Sequence, residues 1–301
     1  MINNIVFMGS PDFAVPALRA LAAHYPIRGV VSQPDRPSGR GMALTPPPVK
    51  LAALELGLPV FQPEKLRAPE SFQQLQAWAP DLIVVVAFGQ ILRANVLDLP
   101  KYGCINTHAS LLPRHRGAAP IQAAILAGDA ETGVTIMKMD AGLDTGPMLS
   151  QRVIPIEAGD TGGSLFEKLS KLGGELLVET LPGYLDGLVL PQPQPEAGVT
   201  YFGMIKKEDG LLNFNLAALD LERRVRAFSP WPGTSMEWNG VLLKVQRAHC
   251  QAGRAAPGQR LVVEGLPAVG TQDGLIVFDE LQPAGKKSMP GKAFLAGARG
   301  W

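Results

Sequence analysis

Little in this chain invites a metal-based, covalent or membrane-embedded function. Cys104 and Cys250 are its only cysteines in 301 residues and offer no disulfide framework. Four histidines, His24, His108, His115 and His249, fall in no strong metal-ligand spacing, and Cys104-x-x-x-His108 is a lone pair, so no metal is expected. The longest unbroken apolar run, Leu82 to Phe88, is far too short to cross a bilayer, and Met1-Ile2-Asn3-Asn4 lacks the basic flank of a secretory signal. A cytoplasmic protein is expected. Gly9-Ser10-Pro11 is too short for a dinucleotide fingerprint, which speaks against a nicotinamide cofactor, and no Ser or Cys nucleophile stands beside a partner base. Charge of either sign is scarce, at 18% of residues with a net +1. Residues 1–189 hold 15 basic against 17 acidic side chains, hence −2, and residues 190–301 hold 13 against 10, hence +3. The C-terminal part is the mildly basic one, which fits weak attraction to a polyanion.

What is present is ordinary globular composition, 46% hydrophobic, in a chain long enough for two cores. Strand-like and helix-like runs alternate in the first half: Ile5 to Met8, then Phe13, Leu18 and Leu21 at helical spacing, Ile27 to Val31, Val49 to Leu56, Val60-Phe61, Leu82 to Val86 and Cys104 to His108. That alternation predicts an α/β fold with an open, Rossmann-like, mostly parallel sheet. Val134 to Met137 and Leu149 to Ile156 read as later strands, and Gly162 to Leu185 as a long helix. A Pro/Gly-rich segment from Gln33 to Pro48 is too long for a simple connection and reads as a functional loop. The alternating prolines of Leu190-Pro191-Gln192-Pro193-Gln194-Pro195-Glu196 read as a stiff linker. The expected layout is residues 1–189 as a catalytic domain, 190–205 as linker, and 206–301 as a second, smaller, OB-like β-barrel with one helix over Leu216 to Phe228.

Chemistry concentrates between Cys104 and Pro120. Alternate strand side chains share a face, so Asn106 and His108 point the same way from a strand that Pro113 and Gly117 bring to an end. A carboxamide beside an imidazole pairs a fixed hydrogen-bond donor with a group that titrates near neutrality, a pair suited to carbonyl chemistry. Asp144, in Ala141-Gly142-Leu143-Asp144-Thr145-Gly146, is expected to join them at the carboxyl ends of the strands, where open α/β sheets place their ligand crevice. Taken singly, each is an ordinary structural residue: a hydrogen-bonded strand-end pair, a turn aspartate. Taken together, and with no nucleophile in sight, they suggest direct attack by a substrate on a bound acyl donor.

Asn106-x-His108-x-Ser110-x-Leu112-Pro113 with Arg116-Gly117 resembles the signature of the folate-dependent formyltransferases, and Gly142-Leu143-Asp144-Thr145-Gly146 resembles that family's aspartate loop. Further segments extend the resemblance along most of the chain, among them Gly9 to Ala14, Gln33 to Gly41, Thr45 to Lys50, Glu131 to Thr135, Arg226 to Pro232 and Leu281 to Lys287, and they point to the branch that acts on initiator tRNA. The resemblance implies 10-formyltetrahydrofolate as donor co-substrate, the α-amine of methionyl initiator tRNA as acceptor, and a monomer. It implies catalytic roles for Asn106, His108 and Asp144, with Asp144 holding and charging His108. It implies a folate slot from Phe88, Gly89, Gln90, Ile91, Leu92, Ser110, Leu111, Leu112, Pro113, Met139, Asp140 and Leu143. It also implies tRNA contacts from Arg36, Arg40, Lys206, Lys207, Arg223, Lys244, Lys286 and Lys287. Met42-Ala43 stand where many relatives carry lysines after Gly-Arg-Gly. Two alternatives stay open from the residues: a sugar-nucleotide N-formyltransferase of the same superfamily, and a non-catalytic RNA-binding protein.

Overall fold

A computed structural model describes residues 2, 4–38, 42–298 and 300–301 in two compact units that do not follow chain order. The first gathers Met1–Gly117, Thr132–Ile154 and Phe166–Phe202; the second gathers Ala118–Glu131, Pro155–Leu165 and Gly203–Trp301.

The first unit is built on a seven-stranded sheet in the order Met148–Pro155, Glu131–Lys138, Cys104–His108, Leu82–Val86, Ile5–Gly9, Ile27–Val31, Val60–Phe61. The last five of these run parallel to their neighbours, with Ile5 beside Leu82 and Val85 beside Asn106. Both central strands are buried along their whole length, which explains why Ile5 to Met8 and Leu82 to Val86 are continuously apolar instead of alternating. The strand at Glu131–Lys138 is antiparallel, pairing Lys138 with Ile105 and Thr135 with His108. Its carboxyl end therefore lies at the start of the Cys104–His108 strand. The 139–147 turn then carries Asp144 back to His108, at the carboxyl end of the Cys104–His108 strand, where the sequence suggests it.

Helix Gly162–Leu185 follows the expected bounds. Gly173 on it leaves room for Thr107, the residue between Asn106 and His108: a Cβ there would meet Thr107 Cγ2 at 2.8 Å. Gly173→Val should cost about 1–3 kcal/mol by overpacking, read from the denaturation midpoint at unchanged m-value.

Part of the Gln33–Pro48 segment is a two-stranded ribbon. Arg36–Ser38 pairs antiparallel with Ala43–Thr45. Three residues per strand, with Pro37 in one and an exposed Leu44 in the other, give no legible alternation. Its base is pinned by Asp35, which accepts from Lys50 Nζ at 2.7 Å and from Gln62 Nε2 at 2.8 Å. The Lys50 contact holds the Asp35 carboxyl below its usual range.

In the second unit, Thr234–Trp238, Val241–Gln251, Leu275–Gln282, Leu266–Gly270 and Arg260–Val263 form an antiparallel sheet in that order, with Met289–Pro290 added to Leu275–Gln282. Helix Ala218–Ala227 buries Leu221 and Val225 in a core with Leu243, Ile276, Phe278 and Phe294. Alternation along these strands, buried Leu243 and Val245 against exposed Leu242 and Lys244, is what one covered face requires. No helix among the described residues is long and apolar enough to cross a membrane.

Candidate active site

Asn106 and His108 end the buried strand Cys104–His108, and both are buried themselves, at 9% and 6% exposure. His108 Nε2 lies 3.0 Å from the carbonyl oxygen of His115. A carbonyl only accepts, so Nε2 carries the hydrogen, and Nδ1 is the ring nitrogen left to gain or lose a proton. Nδ1 faces Asp144 Oδ1 at 3.8 Å, beyond hydrogen-bond range. The orienting bond to His108 thus comes from the His115 backbone, a partner the sequence reading did not identify.

Two turns hold this geometry. His115 and Asp144 both sit at positive φ, 57° and 54°, a conformation that Asp and His tolerate better than most residues. Asp144 Oδ2 accepts the Gly117 N–H at 2.8 Å, which ties its carboxylate to the loop after His108. At the loop's near end, Thr135 Oγ1 donates to the Ser110 carbonyl at 2.7 Å and accepts the Leu112 N–H at 3.1 Å. Ser110 Oγ donates to the Arg114 carbonyl, so its hydroxyl serves the turn.

Cys104, on the same strand, is no nucleophile. Burial pushes its thiol up to about 12, so it stays protonated. Among the described residues no group of three or more His, Cys, Asp or Glu side chains could hold a metal.

The residues assigned to a folate slot divide by environment. Phe88, Leu92 and Met139 join one apolar cluster with Val6, Met8 and Val85. The Phe88 carbonyl accepts from Gln33 Nε2 at 3.1 Å and from Ser10 Oγ at 3.4 Å. Gln90 is spent on the neighbouring chain, accepting the Leu66 N–H and donating to the Pro63 carbonyl. Ile91 and Leu143 stand out in solvent, at 87% and 61% exposure, while Asp140 closes its own turn by accepting from Gly142 N–H and Thr145 Oγ1. A cavity of about 400 Å³ is lined by Gly89, Gln90 and Ile91 together with Lys65, Arg67 and Arg93. Exposed apolar surface beside three cations fits a flat, anionic ligand.

The basic candidates scatter. Lys244 stands opposite Gln282, whose amide reaches the Lys286 carbonyl, so Lys244, Lys286 and Lys287 come together at one sheet end. Lys206 and Lys207 are exposed on a separate segment. Arg223 packs over Gly128 and pairs with Asp220 at 3.8 Å. Arg36 pairs with Glu64 at 2.9 Å. Arg40 lies outside the described residues.

Two family profiles cover the chain: Formyl transferase over residues 3–181, and Formyl transferase, C-terminal domain, over residues 204–299. The chain belongs to the formyl transferase family. This formyl transferase is 51% identical, over 99% of its length and 97% of the relative's, to methionyl-tRNA formyltransferase of Halorhodospira halophila. It is 50% identical to that of Myxococcus xanthus over 98% of its own chain and 95% of the relative's. Its fold matches WlaRD, a sugar 3N-formyl transferase solved with dTDP and 5-N-formyl-THF, at a TM-score of 0.69 and 18% identity, covering 95% of this chain and 100% of that one. It also matches HypX from Aquifex aeolicus in complex with tetrahydrofolic acid, at a TM-score of 0.62 and 17% identity. There the formyl transferase covers 98% of its own length and only 47% of the larger chain.

Proposed function

We propose that the protein transfers a formyl group from 10-formyltetrahydrofolate to the α-amino group of methionyl initiator tRNA. The observation that carries this reading is near-complete coverage at about half identity to relatives bearing that activity in their names, joined to the Asn106, His108 and Asp144 geometry. A sugar-nucleotide acceptor is the weaker reading, because the likeness to WlaRD is one of fold at 18% identity. A purely RNA-binding role leaves the buried Asn106–His108 pair without a purpose.

An α-amine titrates near about 7.7, and lower beside an ester, so much of it is already nucleophilic at neutral pH. As its nitrogen bonds to the formyl carbon, the formyl oxygen gains charge, which the Asn106 amide and a protonated His108 Nδ1–H can meet by donating hydrogen bonds. When the bond from that carbon to the departing folate nitrogen breaks, the proton lost by the amine passes to that nitrogen through Nδ1 or a water. Asp144 faces that ring and helps to orient it. The exposed apolar side chains Ile91 and Leu143 and the cations Lys65, Arg67 and Arg93 would hold the donor. The unit that gathers Met1–Gly117, Thr132–Ile154 and Phe166–Phe202 carries this chemistry, and residues 206–301 of the other hold the tRNA, in a cytoplasmic, monomeric enzyme.

The deciding assay offers 10-formyltetrahydrofolate with either charged initiator tRNA or an amino sugar nucleotide. Formylation of the tRNA alone is expected, and transfer to the sugar alone overturns the reading. The tRNA contacts should separate by role. Phosphate contacts position without reading sequence, whereas the Arg40 loop can sense a weak terminal base pair. Arg40→Ala should lower the ratio of catalytic efficiencies on initiator over elongator methionyl-tRNA. Neutralising Lys206 and Lys207 should weaken both tRNAs alike and flatten the salt dependence of binding.

A further inference from the structure

The proline-rich segment does more than connect. Between Gln192 and Phe202 it meets the rest of the first unit at four successive points. Gln192 bridges to Met148. Gln194 Nε2 donates to the carbonyl oxygens of Asp144 and Gly146, both at 2.8 Å. Gln194 Oε1 accepts from Arg116 Nε at 3.1 Å and Nη2 at 2.7 Å. Thr200 Oγ1 accepts the His115 N–H at 2.8 Å, and the Thr200 carbonyl accepts the Arg116 N–H at 2.9 Å. Tyr201 and Phe202 then pair in parallel with Arg116 and Gly117, and the Tyr201 hydroxyl accepts from Arg116 Nη1 at 3.1 Å. A side chain on Gly117 would strike the Phe202 carbonyl, so this close pairing depends on glycine.

We propose that Gln194, together with Arg116, is a positioning residue for formyl transfer: it clamps the Asp144 turn against the loop whose His115 carbonyl and Gly117 amide fix His108 and Asp144. This rests on the formyl-transfer reading above. The carboxamide is fully used. Its two N–H groups hold the two carbonyls that bracket the Asp144 turn, and its oxygen takes both donors from one buried guanidinium. Arg116 is itself buried, so the charge that receives Gln194 is fixed in place. The contacts close a ring that runs from His108 to the His115 carbonyl, along the chain to Arg116, across to Gln194, into the Asp144 turn, and back to His108 Nδ1. Gln194 lies on a surface segment and belongs to neither strand nor helix, so it can be altered without breaking either.

Gln194→Glu isolates the clamp. The glutamate keeps the size and still accepts from Arg116, but it loses both donors and sets a carboxylate against two carbonyl oxygens. The Asp144 turn should open. A displacement near 1 Å at a reacting group costs up to about 10²-fold, so turnover should fall about 10- to 100-fold at saturating folate and tRNA. KM for both substrates should stay within about threefold. The single-turnover pH profile should move the same way as in Asp144→Asn. Placed on an Asp144→Asn background, Gln194→Glu should add little, since the clamp acts only through that carboxylate. A folded Gln194→Glu enzyme with wild-type turnover and pH profile overturns the proposal, and so does full additivity with Asp144→Asn. If Gln194→Glu does not fold, Gln194→Met, of similar size and uncharged, runs the same cycle, and wild-type behaviour or full additivity there overturns the proposal equally. Loss of formyl transfer in the unmodified enzyme would instead count against the function itself.

Discussion

His108→Ala should lower single-turnover formyl transfer by about 10²–10³, the scale for losing an oxyanion donor or a proton shuttle, and Asn106→Ala should do likewise. Both side chains end one buried strand, and neither is needed to hold the loops: His108 receives its support from the His115 carbonyl, and no bond of the turn network runs through Asn106 among the hydrogen bonds described above. Substrate affinity should change little. The sharper variant is His108→Gln. Its amide can still donate to the His115 carbonyl, so the local structure survives, yet it cannot take up a proton. His108→Gln should therefore be nearly as slow as His108→Ala. Transfer rates near wild type in either variant would rule out the proton role, and near wild-type rates in Asn106→Ala would rule out the donor role.

Asp144→Asn should be the second large effect, about 10²-fold on the chemical step, and it should carry a signature in pH. Asparagine accepts the same 2.8 Å bond from Gly117 and tolerates the φ of 54°, so the turn persists while the charge goes. Asp144 Oδ1 stands 3.8 Å from Nδ1, so the substitution removes the charge that faces the ring. The pH dependence of the chemical step should therefore change along with its rate. Single-turnover rates across the pH range measure this. Retained activity with an unmoved profile would leave Asp144 as a turn residue.

Much of this was legible beforehand because it rests on local pattern. Five residues of buried strand read as unbroken apolar runs, and Asn106 and His108 declared their common face by alternation. The polarity of the Glu131–Lys138 strand was not legible, since an antiparallel strand buried from Thr132 to Met137 has the same apolar run as a parallel one. The ribbon at Arg36–Ser38 was hidden by its shortness, and Leu266–Gly270 and helix Gly291–Gly297 by their small residues and prolines. The His115 carbonyl carries no side-chain signal at all. Gln194 is hidden differently: between two prolines it looks like a solvated spacer, and only the 50 positions separating it in sequence from Asp144, closed in space, reveal its part.

The interleaved chain order of the two units has a consequence for synthesis on the ribosome. Helix Pro120–Ala127 and the stretch around Asp160 emerge early, yet their partners in the second unit come near the end of translation. Arg223 covers Gly128, Arg226 Nη1 donates to the Asp160 carbonyl at 3.1 Å, and the Ala227 carbonyl abuts Gly162. Many tens of codons separate the two sides of each contact. The early segments must wait, unsatisfied, while the sheet of the first unit can already form, so the nascent chain passes through a stage in which one half is ordered while its own insertions are not. A stop codon before Arg223 strands those insertions for good.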